Sequence, residues 1–394
     1  MRGDSRQGWT ADGRVWFAQA VRGPACLLVI AAHFGQLFLT DQPTVGAVAL
    51  FPPLAGLPRP PWARATELLT DHSISLGHIG VFLFFLVSGF VIPFSLRDGR
   101  LGRFLVRRFF RLYPTLWACL GITVLTLVAH LRSLGYVLPY DTRAVAANAL
   151  LVSPYAGARW IEPVFWTLAV EELFYVVAAL VAWRRRLDDG RVIAGLAAGL
   201  TALALVAGPA QRPSSVLFWL AFNGTFLLFI LVGLVFHQVF QGRWPPGRGL
   251  AGGTGLLVAF TVAMLRGPVS PSARVYLTSS AIALVAFGGL YLGRRRLPYW
   301  RPLDMLSNVS YPLYLVHAVA GYVVMRVVFV RTGNYYAAAT VAVVGAVAVA
   351  CAVHGLVERP SIAVGRRLAR RRPAGGGHSA APAATPRAGL GVGA

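Results

Sequence analysis

The sequence predicts an all-α, polytopic membrane protein with about ten transmembrane helices and both termini on the cytoplasmic side. Three observations predict it. Of the 394 residues, 56% are hydrophobic and 13% charged, and mean hydropathy is +0.62; a soluble chain of this size cannot hide so much apolar surface. Apolar stretches of about 20 residues recur along the chain. Basic residues crowd the connections on one side of those stretches and thin out on the other, the asymmetry that sets orientation in a bilayer.

The stretches run near 15–39, 74–96, 112–130, 166–183, 192–208, 216–240, 250–266, 275–292, 306–329 and 337–357. Each has to be helical, because an isolated strand leaves its backbone unsatisfied in lipid. The shorter ones rely on tilt, local thinning or extension into the interface. The first ends in Leu39-Thr40-Asp41-Gln42-Pro43 without a small-x-small cleavage pattern, so it reads as a retained span and not a signal peptide. The second follows the longest outer connection, 40–73, which is rich in proline. A second long outer segment, 131–165, precedes the fourth stretch and is long enough to dip back towards the membrane. The first carries Arg22 and His33, the fourth Glu171 and Glu172, and the ninth Tyr311, Tyr314, His317 and Arg326. Residues 1–14 are expected to form a cytoplasmic N-terminal segment, 15–360 the membrane domain, and 361–394 a basic, then disordered cytoplasmic tail, Gly/Ala/Pro-rich from Pro373.

The net charge of +23 resembles a nucleic-acid signal, but its distribution argues against that partner. All 37 basic residues are arginine, and they lie in short clusters between apolar stretches. Connections on one side hold 27 of them and those on the other hold nine, which places the richer side in the cytoplasm of a bacterial inner membrane. Cys26, Cys119 and Cys351 all fall in apolar stretches with no disulfide or zinc spacing, so packing is their expected role.

Polar groups inside spans are costly, so they mark candidate chemistry. Glu171 and Glu172 are the acids well inside a stretch and need a cationic or hydrogen-bonding partner, or a wet cavity. Arg22 and His33 are eleven residues apart in the first stretch, which on a regular helix puts them about 20° apart in azimuth and about 16 Å apart in depth. Counted from the helix ends, His33 and Glu171 both lie roughly 8–9 Å below the outer surface. A carboxylate beside a neutral imidazole makes a competent general base, so the pair is expected to meet. Arg107, Arg108 and Arg111 share one helix face; they suit either phosphate groups or lipid headgroups. Gly80 to Phe90, with the small pair Ser88-Gly89, reads first as a close helix contact. Tyr311, Tyr314 and His317 share a broad face that suits either a cavity wall or an interfacial belt. No HExxH, nucleotide-binding glycine loop, CxxC pair or GxSxG elbow occurs, and no metal is expected.

Together these fragments resemble the acyltransferase-3 family of integral-membrane O-acyltransferases. The resemblance rests on Arg22-Gly23 followed by His33; Gly80-Val81 through Phe84-Phe85 to Ser88-Gly89-Phe90; Arg107-Arg108 and Arg111 to Pro114; Phe165-Trp166-Thr167-Leu168 with Glu171 and Phe174-Tyr175; Ser310 to Leu315 with His317; and Glu358-Arg359-Pro360. They occur in family order over about residues 15–360. The resemblance implies a ten-span domain that takes an acyl group, commonly acetyl, from cytoplasmic acyl-CoA as cosubstrate, with no bound cofactor. The implied acceptors are hydroxyls of sugars, envelope polysaccharides, lipids or secondary metabolites such as macrolides. It also implies His33 as the essential histidine, with Arg22, Trp166 and Glu171 as motif residues. One departure stands out: many members carry an acid where this chain has Phe82, which puts acceptor binding in question more than the chemistry.

The expected enzyme uses His33 as general base, oriented by Glu171. Arg22, Arg107, Arg108 and Arg111 would hold the CoA moiety, and Trp166, Tyr311, Tyr314 and His317 would face the substrates. The alternative from composition alone is a multi-span transporter or flippase for a sugar, lipid or antibiotic.

Overall fold

A computed structural model gives the protein's structure over residues 15–58, 60, 62–96, 101–184 and 186–370. The predicted N-terminal segment 1–14, the tail from Pro373, and Arg97, Arg100 and Arg185 of the basic clusters lie outside the described residues. Among the described residues there is no strand, and the chain is a bundle of helices.

Among the described residues nine helices are long and apolar enough to cross a membrane: α1 (Trp16–Thr40), α2 (Leu76–Leu96), α3 (Leu101–Ser133), α4 (Phe165–Trp183), α5 (Gly190–Ala207), α6 (Val216–Phe240), α7 (Pro246–Arg266), α8 (Ser270–Leu292) and, after a broken pair, α11 (Tyr335–Arg370). The broken pair is α9 (Arg301–Val316) and α10 (Ala318–Thr332), which together pass the same test but bend by 75° at His317. The continuous ninth span expected from hydropathy is therefore two half-helices, because hydropathy registers apolar length and not direction. Side-chain caps fix several starts: Ser75 accepts from the His78 N–H, Ser215 from Phe218 and Asn334 from Ala337.

The core is organised around α2, which packs on α1, α6 and α8. Its glycines sit at the crossings. A Cβ on Gly80 would stand 2.4 Å from the Ala25 carbonyl oxygen of α1, and one on Gly89 would stand 2.0 Å from the Ile230 carbonyl oxygen of α6. Gly233 of α6 faces the same crossing, with the Leu86 carbonyl 2.4 Å from its would-be Cβ. Small residues let these backbones touch, as expected of Ser88-Gly89. Phe82, also on α2, is fully buried among Phe85, Phe226, Phe229, Phe260 and Tyr276. An acid at this position would have to sit inside that aromatic cluster.

On the other flank of α1, Gly23 faces α9, and its N–H donates to the Ser307 hydroxyl at 3.1 Å. Helix α9 also packs on α3 and α11, while α4 packs chiefly on α6. The 131–165 segment does return into the bundle: Glu162 is fully buried, and its carboxylate accepts from Thr123 of α3 at 3.4 Å and from the Val319 N–H of α10 at 3.3 Å. Cys26 and Cys119 are buried packing residues, and Cys351 is exposed.

Candidate active site

The arginine cluster builds one wall of a cavity of about 380 Å³. Arg107, Arg108 and Arg111 project from the first turns of α3, Arg22 from the start of α1, and Arg366 from the last turns of α11. All five come from the arginine-rich end of the bundle. Arg366 is exposed, so the cavity reaches the surface there.

These side chains are held by neighbours. The Arg108 guanidinium donates to the Ser95 hydroxyl at 2.7 Å and lies over the rings of Phe104 and Tyr175, 5.4 and 5.2 Å from their centroids. Arg107 donates to the Ser95 carbonyl at 3.3 Å. Glu171 lines the same cavity, accepts a hydrogen bond from the Ser88 hydroxyl, and has Tyr175 beside it. Guanidinium groups held in this way form a rigid fork for an anion, the geometry that suits phosphate.

Tyr311 and Tyr314 of α9 line the cavity, whereas His317, expected on the same face, is not part of its lining. The Tyr311 hydroxyl donates to the Leu112 carbonyl at 3.1 Å, and that of Tyr314 lies 2.9 Å from the Thr167 hydroxyl. One turn beyond Tyr314 is His317, at the break between α9 and α10; the two ring centroids are 5.8 Å apart. His317 is fully buried, and its Nε2 lies 2.8 Å from Nδ1 of His33. His33 itself is only part-buried. It sits in a π-helical segment, Ala31–Leu37, that interrupts α1; wide turns of this kind recur at functional sites. Around the pair stand Phe34 and Tyr322, the latter with its ring centroid 6.0 Å from that of His33.

The expected meeting of His33 with Glu171 is therefore not the contact the structure forms. His33 is paired with His317, whereas Glu171 belongs to the arginine-lined cavity with Arg22, Arg108 and Ser88. The depth count assumed that the first and fourth spans are neighbours. Instead α1 packs on α2 and α9, and α4 packs on α6. The shared azimuth of Arg22 and His33 also assumed a regular helix, and the wide turns begin two residues before His33. Trp166 is packed edge-on against Phe85 and Phe222 and close to Phe226; it stands behind Phe85 and does not itself line the cavity. Glu172 takes the Tyr113 hydroxyl as its donor.

Sequence reasoning missed Arg366, Ser95 and Glu162, and named Tyr175 only as part of a motif. Arg366 is one of several arginines in a basic stretch, and Glu162 precedes an apolar run, so neither carried a local signal. Burial raises the Glu162 carboxyl from its usual 4.5 to about 8, and its hydrogen bonds from Val319 and Thr123 offset this in part.

Comparison with known proteins places this architecture. A family profile described as an acyltransferase domain matches residues 15–355. Nodulation protein 10 of Rhizobium leguminosarum bv. viciae is 27% identical over 336 residues, covering 74% of this chain and 84% of that protein. The exopolysaccharide production protein ExoZ of Rhizobium meliloti (strain 1021) is 28% identical over 323 residues, covering 78% and 95%. The acyltransferase MdmB of Streptomyces mycarofaciens is 27% identical over 400 residues, covering 92% of each chain. No solved structure matches.

Proposed function

We propose that this chain, which belongs to the acyltransferase-3 family and is a multi-span membrane O-acyltransferase, takes its acyl group from acyl-CoA at the arginine-rich side and passes it to a hydroxyl brought to His33. The observation that carries the reading is the cavity lined by five arginines and Tyr314, with a pair of histidines standing beyond Tyr314, behind the cavity lining. Arg22, Arg107, Arg108, Arg111 and Arg366 suit the phosphates of CoA, and positive-inside charge makes their side the cytoplasm of the inner membrane. Acetyl is the commonest group in the family and is the donor proposed.

A thioester carbonyl is already activated, so the protein has to position and deprotonate. The acceptor O–H gives its proton to His33 as its oxygen attacks the thioester carbonyl carbon. The C–S bond breaks, and the departing thiolate takes the proton back from His33. Glu171, expected as the orienting group of His33, is assigned instead to keeping Ser88 and the arginines in place. ExoZ is named for exopolysaccharide production and MdmB as an acyltransferase. A carbohydrate hydroxyl or that of a secondary metabolite such as a macrolide is the acceptor class proposed here.

The test uses purified protein with [14C]acetyl-CoA, or with acetyl-pantetheine, which lacks the nucleotide phosphates. The acceptors are exopolysaccharide oligosaccharides and a hydroxylated macrolide. Label should appear in an acceptor ester, with acetyl-CoA strongly preferred to acetyl-pantetheine. Arg108→Gln should raise the KM for acetyl-CoA about 10- to 100-fold, the size expected for a charge-assisted hydrogen bond, and leave acetyl-pantetheine nearly unaffected. Equal use of both donors by the wild type would remove the arginines from the donor site. Movement of an acceptor across vesicles with no acyl-CoA consumption would favour a transporter.

A further inference from the structure

We propose that His317 is a positioning residue that fixes the tautomer of His33, presenting Nε2 of His33 as the basic nitrogen. The inference rests on the general-base reading of His33 and adds to it the group that orients the base and the atom that takes the proton.

Nδ1 of His317 lies 2.9 Å from the Tyr314 carbonyl oxygen and 3.2 Å from that of Leu313. A carbonyl only accepts, so this nitrogen carries the hydrogen. A base in its resting state is neutral, and a neutral imidazole has one N–H. Nε2 of His317 is then a lone pair. It stands 2.8 Å from Nδ1 of His33, so His33 must donate there. With its hydrogen committed at Nδ1, neutral His33 has its lone pair at Nε2, the nitrogen facing away from His317.

The burial of the two rings agrees with this division of roles. His317 is fully buried at a helix break and held by the backbone of its own preceding turn, whereas His33 is part-exposed. Of the two rings, His33 is the less enclosed. The break at His317 matters as well: the 75° bend turns α10 away from the axis of α9, and the ring sits at that corner, across from the π segment of α1. Two local departures from regular helix thus bring the two nitrogens into hydrogen-bond range. When Nε2 of His33 takes the acceptor proton, the new imidazolium keeps its Nδ1–H on the His317 lone pair, which stabilises the charge.

The test compares His317→Leu, which has no acceptor, with His317→Gln, whose side-chain oxygen can accept from Nδ1–H of His33. Acetyl transfer from acetyl-CoA should fall about 10²-fold or more in kcat for the leucine variant, in the range known for a misplaced tautomer. KM for acetyl-CoA should be unchanged, and the glutamine variant should recover most of the loss. A purely structural role would lower the amount of folded protein and would not discriminate the two in kcat per folded molecule. Independently of turnover, 15N-histidine solid-state NMR of the wild type, with His33→Gln and His317→Gln as difference controls, should show both rings protonated at Nδ1. If His33 is protonated at Nε2, or if His317→Leu keeps full kcat, the proposal is wrong. Should the wild type transfer no acyl group at all, the proposed function fails, and the spectra still decide the tautomer.

Discussion

Glu162 shows what burial does to a single ionisable group. It is fully enclosed, one carboxylate oxygen takes two weak donors, and the other has no partner. The folded state therefore favours the neutral acid, up to a pKa of about 8 against an ordinary 4.5. The sign follows from linkage: between those values the unfolded chain has released a proton that the folded chain still holds, so stability falls as pH rises. Thermal unfolding in detergent should show the wild type losing stability relative to Glu162→Gln from about pH 4.5 to about pH 8, with the difference level above that. A constant difference across this range would mean that the carboxyl is ionised throughout. At this scale the sequence was partly legible. Arg22 and His33 stood out because polar residues in apolar stretches declare their cost, and the three arginines of α3 stood out as a basic cluster just before one. The partner of His33 was not. His317 was visible as a polar residue, but which ring it meets depends on a helix break and a π segment that no residue spacing encodes.

At the scale of elements, glycine placement decides the packing. Gly89 and Gly233 let α2 and α6 approach until a single added carbon would reach the opposing backbone. Gly89→Ala should lower stability by about 1–3 kcal/mol or more, since backbone cannot yield as a side chain would. Gly288→Ala on α8 is the control: nothing lies within 4 Å of its would-be Cβ, so it should be neutral or stabilise by up to about 1 kcal/mol. Equal melting shifts for the two would contradict the close crossing. The glycine motif was legible as a contact, and its partner helix was not. Hydropathy located the spans to within several residues at most ends. It undercounted α3, which runs from Leu101 through the arginine-rich turns, and α11, which continues to Arg370. In both, an amphipathic stretch prolongs an apolar helix, and an apolar window stops at the first charge. That continuation carries Arg366 to the cavity.

For the whole molecule, the fold class was the most legible feature, because the bilayer leaves a chain this apolar only one secondary structure unless it closes a barrel. Which spans touch was the least legible, since lipid-facing and helix-facing residues are both apolar. Orientation is a charge argument and can be tested directly. In a background with Cys351 replaced by serine, a cysteine at Gln241 should react with a membrane-impermeant maleimide only in inverted vesicles. One at Gln211 should react only in intact spheroplasts. The reverse pattern would place the arginine-lined cavity on the side away from acyl-CoA.

The most direct measurement compares His33→Ala with the wild type at equal folded abundance, in single-turnover transfer of label from [14C]acetyl-CoA to a hydroxyl acceptor. Loss of about 10²–10⁴-fold in the transfer rate, the contribution of a positioned base, with acetyl-CoA binding retained, is the predicted result. Transfer at the wild-type rate without the imidazole would contradict the account.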